Sequence, residues 1–357
     1  MSERIPVAVL GATGVVGQRI VRRLIHHPRF ELVAIAASER SAGKRYGDAL
    51  HWVEQEFPPE VLDLVVARCT PDDASAPIVL SALDAESARR VEPEFAKAGS
   101  LVVTNASTFR MEEDVPLIIP EINPDHLALL SLQQERRGWE GGVIANPNCA
   151  TAVIALALAP LHRRVPIRRV AVTTLQAASG AGHPGVASLD LLGNVIPHIA
   201  GEEEKLRTEP RKLLGTLVGH RVVAARFGVS AQVTRVPVPH GHMASLAVEF
   251  DEALEAREAR ECFRGWEGIV DVLDGADRPQ PRRDVDRGGG MTVAVGQIRD
   301  DGVFGLRLVA LGHNLERGAA GAAVANAELV AERLSGAYAP TRRVGPFGPY
   351  NPDHSLQ

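Results

Sequence analysis

Cysteine is scarce in this chain, and it has neither a long apolar run nor a long basic run. Its three cysteines, Cys69, Cys149 and Cys262, are odd in number and far apart, which argues against a disulfide framework and against a zinc site. No stretch is long and apolar enough to span a bilayer, and Met1 to Pro6 leads straight into a strand pattern without a signal peptide. The net charge is −5, so nucleic acid and anionic membrane are poor partners. Internal repeats and low-complexity segments are also missing. These absences predict a soluble, reduced, cytoplasmic protein.

What is present is 45% apolar residues over 357 positions, enough for a sizeable core and two domains. The first part alternates strands (Val7 to Leu10, Leu32 to Ala36, Ile78 to Ala82, Leu101 to Thr104) with helical patterns (Gly14 to Ile25, Glu86 to Ala98). Short apolar runs separated by helices predict an α/β fold with a doubly wound, Rossmann-type parallel sheet. Further on, Val170 to Gln176, Arg221 to Ala225, Ala244 to Phe250, Thr292 to Val295 and Phe304 to Ala310 crowd too closely for one helix per strand. That texture predicts a second, α+β domain built on a mixed or antiparallel sheet. Ala319 to Ser335 reads as a long apolar helix returning to the first domain, and the tail from Ala337 reads as irregular. The expected division is therefore 1–148, completed by 319–357, around a second domain at 149–318.

Two segments carry chemistry. Asn146-Pro-Asn-Cys149 places a lone cysteine at the start of an apolar helical run from Thr151 to Leu161. Unpaired amides and the helix dipole there favour a lowered thiol pKa and stabilise an oxyanion, as a nucleophile requires. A buried cysteine acting as a small hydrophobe is the plainer alternative. Gly11-Ala-Thr-Gly14-Val-Val-Gly17 follows the first strand and opens the first helix, a setting that brings backbone amides to a pyrophosphate. After the second strand, Ser38-Glu-Arg40-Ser41-Ala-Gly-Lys44 offers a hydroxyl and two cations to a ribose 2′-phosphate, which points to NADP. Glu39 dissents, since turned inward it favours NAD.

Other residues are ambiguous one by one. His242, in Pro239-His-Gly-His242, suits a proton shuttle, with His240 as a competitor. Arg235 sits on an otherwise apolar extended run and suits a carboxylate, and Gln176 precedes the glycine-rich turn Ser179-Gly180-Ala-Gly182. Glu202 and Lys205 lie one helical turn apart, which by itself describes a solvated ion pair worth a few tenths of a kcal/mol. Arg110 lies just beyond a strand end, where ligands of doubly wound sheets gather.

Taken together, the segments resemble the aspartate-semialdehyde dehydrogenase family in its archaeal and fungal-type branch. The match is carried in order by GATGVVGQ, ERSAGKRYG, TNASTFRM, VPLIIPEIN, NPNCAT and TLQAASGAG. It continues through NVIPHIAGEEEK, RVPV with GH, PQPRRDVDRGGGM and GHNLERGAAG, over nearly the whole chain. The resemblance implies reversible, NADP-dependent reductive dephosphorylation of L-4-aspartyl phosphate to L-aspartate 4-semialdehyde, on the way to lysine, methionine and threonine. It implies Cys149 as nucleophile and His242 as acid/base. Arg235 and Gln176 would take the substrate carboxylate, Glu202 its ammonium, and Arg110, Asn148 and Lys205 the phosphate. Gly11, Thr13, Gly14, Val15, Val16, Ser38, Arg40, Ser41, Lys44, Ser179, Gly180 and Asn326 would hold the cofactor, in a homodimer or homotetramer with no metal.

Two positions depart from the family pattern: His183 replaces a usual tyrosine, and His240 stands where an acidic or amide residue is common. Malonyl-CoA reductases resemble the same branch but act on a substrate without an amino group, so Glu202 favours the aspartyl substrate. N-acetyl-glutamyl-phosphate reductase typically has glycine where Asn148 stands, and a non-catalytic NADP-binding protein would be expected to lack Cys149, His242 or Arg235.

Overall fold

The structure is a computed structural model, and it describes residues 4–51 and 56–334. Six strands form the first sheet: β1 (Ile5–Leu10), β2 (Phe30–Ala37), β3 (Ala67–Arg68), β4 (Ile78–Ser81), β5 (Leu101–Thr104) and β6 (Gly142–Ala145). They run parallel in the order β3-β2-β1-β4-β5-β6, the doubly wound arrangement expected. β4, β5 and β6 are buried along their whole length, so each reads as a nearly continuous apolar run. β3 and β6 escape the sequence pattern: β3 is two residues long, and β6 is four residues opening on a glycine.

The second sheet begins with β7 (Ile167–Gln176), followed by a separate hairpin of β8 (Thr216–Val218) and β9 (Arg221–Val223). Its other strands are β10 (Gly228–Arg235), β11 (His242–Phe250), β12 (Val270–Val272), β13 (Val293–Asp301) and β14 (Gly305–Gly312). The order is β10-β7-β11-β14-β13-β12, parallel at its two outer pairs and antiparallel within, hence mixed. The run Arg221 to Ala225 corrects one expectation. Arg221–Val223 pairs with β8 in a separate hairpin rather than in the sheet, and Ala225 is held by the backbone of Arg211.

The helix Cys149–Arg164 explains its own composition. Ala150 to Leu161 are all buried, and they share one core cluster with strand residues of both sheets, Val79 and Val102 of the first and Val172, Leu246 and Leu308 of the second. A helix covered all round has no polar face to display. The helix Gly321–Leu334 packs Ala323, Ala327 and Val330 into the core beneath Val7, Val9 and Ile78. It is preceded by a π-helical turn, Glu316–Ala320, so the regular helix begins two residues later than its apolar pattern. Residues 335–357, including the tail read as irregular, lie outside the described residues. No helix among the described residues is long and apolar enough to cross a membrane.

Candidate active site

Three strand ends build one wall of the site. Parallel pairing sets Arg235 beside Gln176, and antiparallel pairing sets His242 on the other side of Gln176. Directly paired residues share a sheet face, so Arg235, Gln176 and His242 stand in one row. Arg235 and Gln176 of that row line a cleft of about 680 Å3 into which Cys149 opens from its helix start. Glu202 and Lys205 line the same cleft from the helix Glu202–Leu213.

Each polar group in this wall is held. Asn148 caps the cysteine helix, its side-chain oxygen accepting from the Ala150 and Thr151 amides at 3.0 and 3.1 Å. Such a cap is worth about 1 kcal/mol. Its amide nitrogen donates to both oxygens of Glu202, at 3.1 and 2.9 Å. Lys205 Nζ donates to Glu202 at 2.6 Å, and Gln176 Nε2 reaches the same carboxylate at 3.4 Å. Arg235 Nη1 donates to the Ala177 carbonyl at 2.7 Å. Gly180 completes the wall, because a Cβ there would come within 2.7 Å of Arg235 Nη1 and 2.8 Å of the His242 ring.

The electrostatics overturn one expectation. The Cys149 thiol is pushed up to about 11 rather than down, chiefly by burial and next by the Glu202 carboxylate. Arg110, Lys205 and the Ala150 amide pull the other way and lose. A helix terminus contributes about 0.3–1 kcal/mol, whereas burial shifts a titration by up to several pKa units. Cys149 therefore rests as a thiol. His242 is held neutral, its pKa lowered to about 3 by burial, then by Arg235. The Ala177 amide donates to His242 Nδ1 at 3.1 Å, so the ring proton sits on Nε2. Nε2 is buried and makes no other hydrogen bond. Burial also pulls the Arg235 guanidinium below its ordinary value, against Glu202 and, once it is ionised, Cys149.

The nucleotide turn opens into the same cleft through Thr13, Gly14, Val15 and Val16. Gly11 adopts φ +72°, and a Cβ there would lie 2.7 Å from the Ala82 carbonyl at the end of β4. Gly17 allows the helix to sit on the turn, since its Cβ would meet the Gly11 carbonyl at 2.1 Å. No side chain caps the helix Val15–Leu24, and its first turn carries no acidic residue, so its amides suit an anion.

Two family descriptions match the chain: the semialdehyde dehydrogenase NAD binding domain over residues 6–130, and the semialdehyde dehydrogenase dimerisation domain over residues 158–317. An aspartate-semialdehyde dehydrogenase from Archaeoglobus fulgidus is 48% identical over 92% of this chain and 98% of its own length. The chain belongs to the aspartate-semialdehyde dehydrogenase family. The Candida albicans family member is 40% identical over 90% of this chain and 96% of its own. Among solved structures, the Candida albicans aspartate semialdehyde dehydrogenase with NADP superimposes with a TM-score of 0.83 at 38% identity, covering 93% of this chain and 98% of that one. Aspartate semialdehyde dehydrogenase II of Vibrio cholerae complexed with ASA gives 0.76 at 28% identity, covering 93% and 99%.

Against the family expectation, the cleft gathers Cys149, Gln176, Glu202, Lys205, Arg235, Arg110 and Asn148, together with Ser179 and Gly180. His242 stands behind Gly180. The remaining expected residues stand as follows. The Asn148 amide nitrogen reaches both oxygens of Glu202 through one N–H pointing between them, which leaves its second N–H for another acceptor. Asn326 is fully buried and is not part of the cleft wall; its amide donates to Ile118 O at 3.1 Å and Asn146 Oδ1 at 2.5 Å, bracing the turn before Cys149. Ser38, Arg40, Ser41 and Lys44 form a turn beyond β2, away from the wall around Cys149 and with both cations exposed, at the strand end where the sequence expects a ribose 2′-phosphate.

Two residues beside the site are not singled out by the sequence, although Gly318 lies within the GHNLERGAAG segment. Gly318 lies in the π-helical turn, and a Cβ there would meet Cys149 Cβ at 2.6 Å. Glu209 bonds both Arg110 and the Asn148 backbone. Of the departures, His240 donates to or accepts from Ser179 Oγ at 3.0 Å and stacks on His313, while His183 is exposed on the cleft rim.

Proposed function

We propose that this cleft carries out the reversible, NADP-dependent reductive dephosphorylation of L-4-aspartyl phosphate to L-aspartate 4-semialdehyde and phosphate. The observation that carries the reading is that Arg235 and Gln176, in one strand row with His242, share a cleft with a helix-start cysteine, Glu202 and Lys205. Arg235 takes the substrate carboxylate with its planar fork, and Glu202 takes the ammonium. A cation on Glu202 cancels the field that this carboxylate places on Cys149. Cys149 Sγ then bonds to the acyl carbon, the C–O bond to phosphate breaks, and the thiol proton leaves with the phosphate. Arg110 and Lys205 stabilise the departing anion. His242 Nε2–H donates to the acyl oxygen as charge builds there, in place of the acid/base role implied by resemblance. The chemistry that the nicotinamide supplies when bound is one hydride, delivered to the thioester carbon. Collapse of the resulting alkoxide then releases the aldehyde and the Cys149 thiolate, which takes one proton from solvent to return to its thiol.

Kinetics in the oxidative direction test the two ends of the site. Arg235→Lys keeps the charge but loses the fork, and is expected to raise the semialdehyde KM about tenfold or more. Lys205→Ala is expected to raise the phosphate KM and leave the semialdehyde KM within about threefold. Both KM values rising in parallel for both variants would show that the two ends are not separate.

NADP rather than NAD is supported by the exposed cations Arg40 and Lys44 in the turn beyond β2. Wild-type enzyme is expected to prefer NADP, and Arg40→Ala to shrink that preference. Equal use of the two cofactors by the wild type would place Glu39 rather than Arg40 on the ribose.

A homodimer through the open face of the second sheet accounts for β7 and β11. Thr173 pairs with Ser245 on that face, and Leu175 is 39% exposed there beside Met243. Sedimentation is expected to give a dimer or a dimer of dimers, and Leu175→Arg to weaken it. A monomeric wild type would contradict this.

A further inference from the structure

Glu209 has no part in the chemistry above, yet it is 2% exposed and its carboxylate sits between two parts of the site. One oxygen accepts from Arg110 Nη1 at 3.0 Å, and the other accepts from the backbone amide of Asn148 at 2.7 Å. Arg110 is braced further by its own Nε, bonded to Asn146 O at 2.8 Å, and by Nη2, bonded to Asn105 O at 2.7 Å. A guanidinium carries five N–H groups, so three point into the protein and one on each terminal nitrogen remains for the cleft. Three residues after Glu209, Lys212 Nζ donates to the carbonyls of Arg110, Glu112 and Val115 at 2.8, 2.7 and 2.8 Å. The helix Glu202–Leu213 therefore grips the Arg110 loop with the same face that bears Glu202 and Lys205.

A carboxylate next to an anion site works against anion affinity, and a buried ion pair is a poor source of stability compared with apolar packing. Its position has another use. We propose that Glu209 is a positioning residue for phosphate departure and entry, locking the Arg110 guanidinium to the backbone that carries Cys149. The phosphate cation and the nucleophile then share one rigid reference, and a misplacement of about 1 Å at such a site costs up to ~10²-fold in rate. This rests on Arg110 meeting the phosphate.

The test is oxidative-direction kinetics on the full-length enzyme, beginning with Arg110→Lys. An unchanged phosphate KM in that variant would overturn the reading of Arg110, and this proposal with it. Glu209→Asp keeps the charge and withdraws it by one methylene; Glu209→Gln keeps the shape. Both are expected to raise the phosphate KM about tenfold or more while the semialdehyde KM stays within about threefold, with circular dichroism unchanged. The double variant Arg110→Lys/Glu209→Asp is expected to exceed Arg110→Lys by less than about twofold, since the two residues act as a unit. A folded Glu209→Asp with a phosphate KM within about twofold of wild type, beside an impaired Arg110→Lys, would overturn only the positioning role. Fully multiplicative effects in the double variant would do the same.

Discussion

Cys149→Ser is expected to fold, to bind NADPH, and to lose turnover by about 10²-fold or more. The substitution keeps the helix start and its Asn148 cap, so the scaffold has no reason to change. What it removes is the one atom able to form a thioester, and a serine hydroxyl in this setting is a far weaker nucleophile and a worse leaving group. Retention of more than about a tenth of wild-type kcat would rule out the covalent route, because removing a group with such a role costs orders of magnitude.

His242→Ala is expected to lower kcat by about 10²–10³-fold while the semialdehyde KM changes little, the pattern of a donor that acts in the transition state. The sign of the pH dependence follows from the ring's state. With a pKa near 3, His242 is already neutral through the whole working range, so this ring adds no inflection to the wild-type kcat profile between pH 5 and 8. A loss of wild-type activity with a midpoint near 6.5 that disappears in His242→Ala would mean the ring works as an imidazolium, contrary to the Ala177 contact.

What the sequence tells and what it hides divide along local and non-local lines. The Gly11 turn and the Asn146 to Cys149 turn are continuous segments whose glycines, proline and capping asparagine act on their immediate neighbours, so their position at the strand ends is readable in advance. The row Arg235, Gln176 and His242 is created by strand register between three distant segments, and no spacing along the chain announces it. Glu202 shows the same limit. As a spacing it describes a surface ion pair, and its neighbours Glu203 and Glu204 do pair with Arg207 on the solvent side. Only the packing of the helix against Asn148 turns Glu202 inward. The Cys149 thiol was misjudged for a related reason: the helix dipole is visible in sequence, whereas the burial that outweighs it belongs to the assembled fold. Glu209 gave no signal because its two partners, Arg110 and Asn148, come from other strand ends.

The central claim is that an acyl group passes through Cys149. Mixing the wild-type enzyme with NADP and aspartate semialdehyde, without phosphate, and quenching in acid should leave one aspartyl acyl group on the peptide that carries Cys149. Adding phosphate before the quench should remove it. An unmodified Cys149 peptide under those conditions, with NADPH formed in the same mixture, would contradict the account.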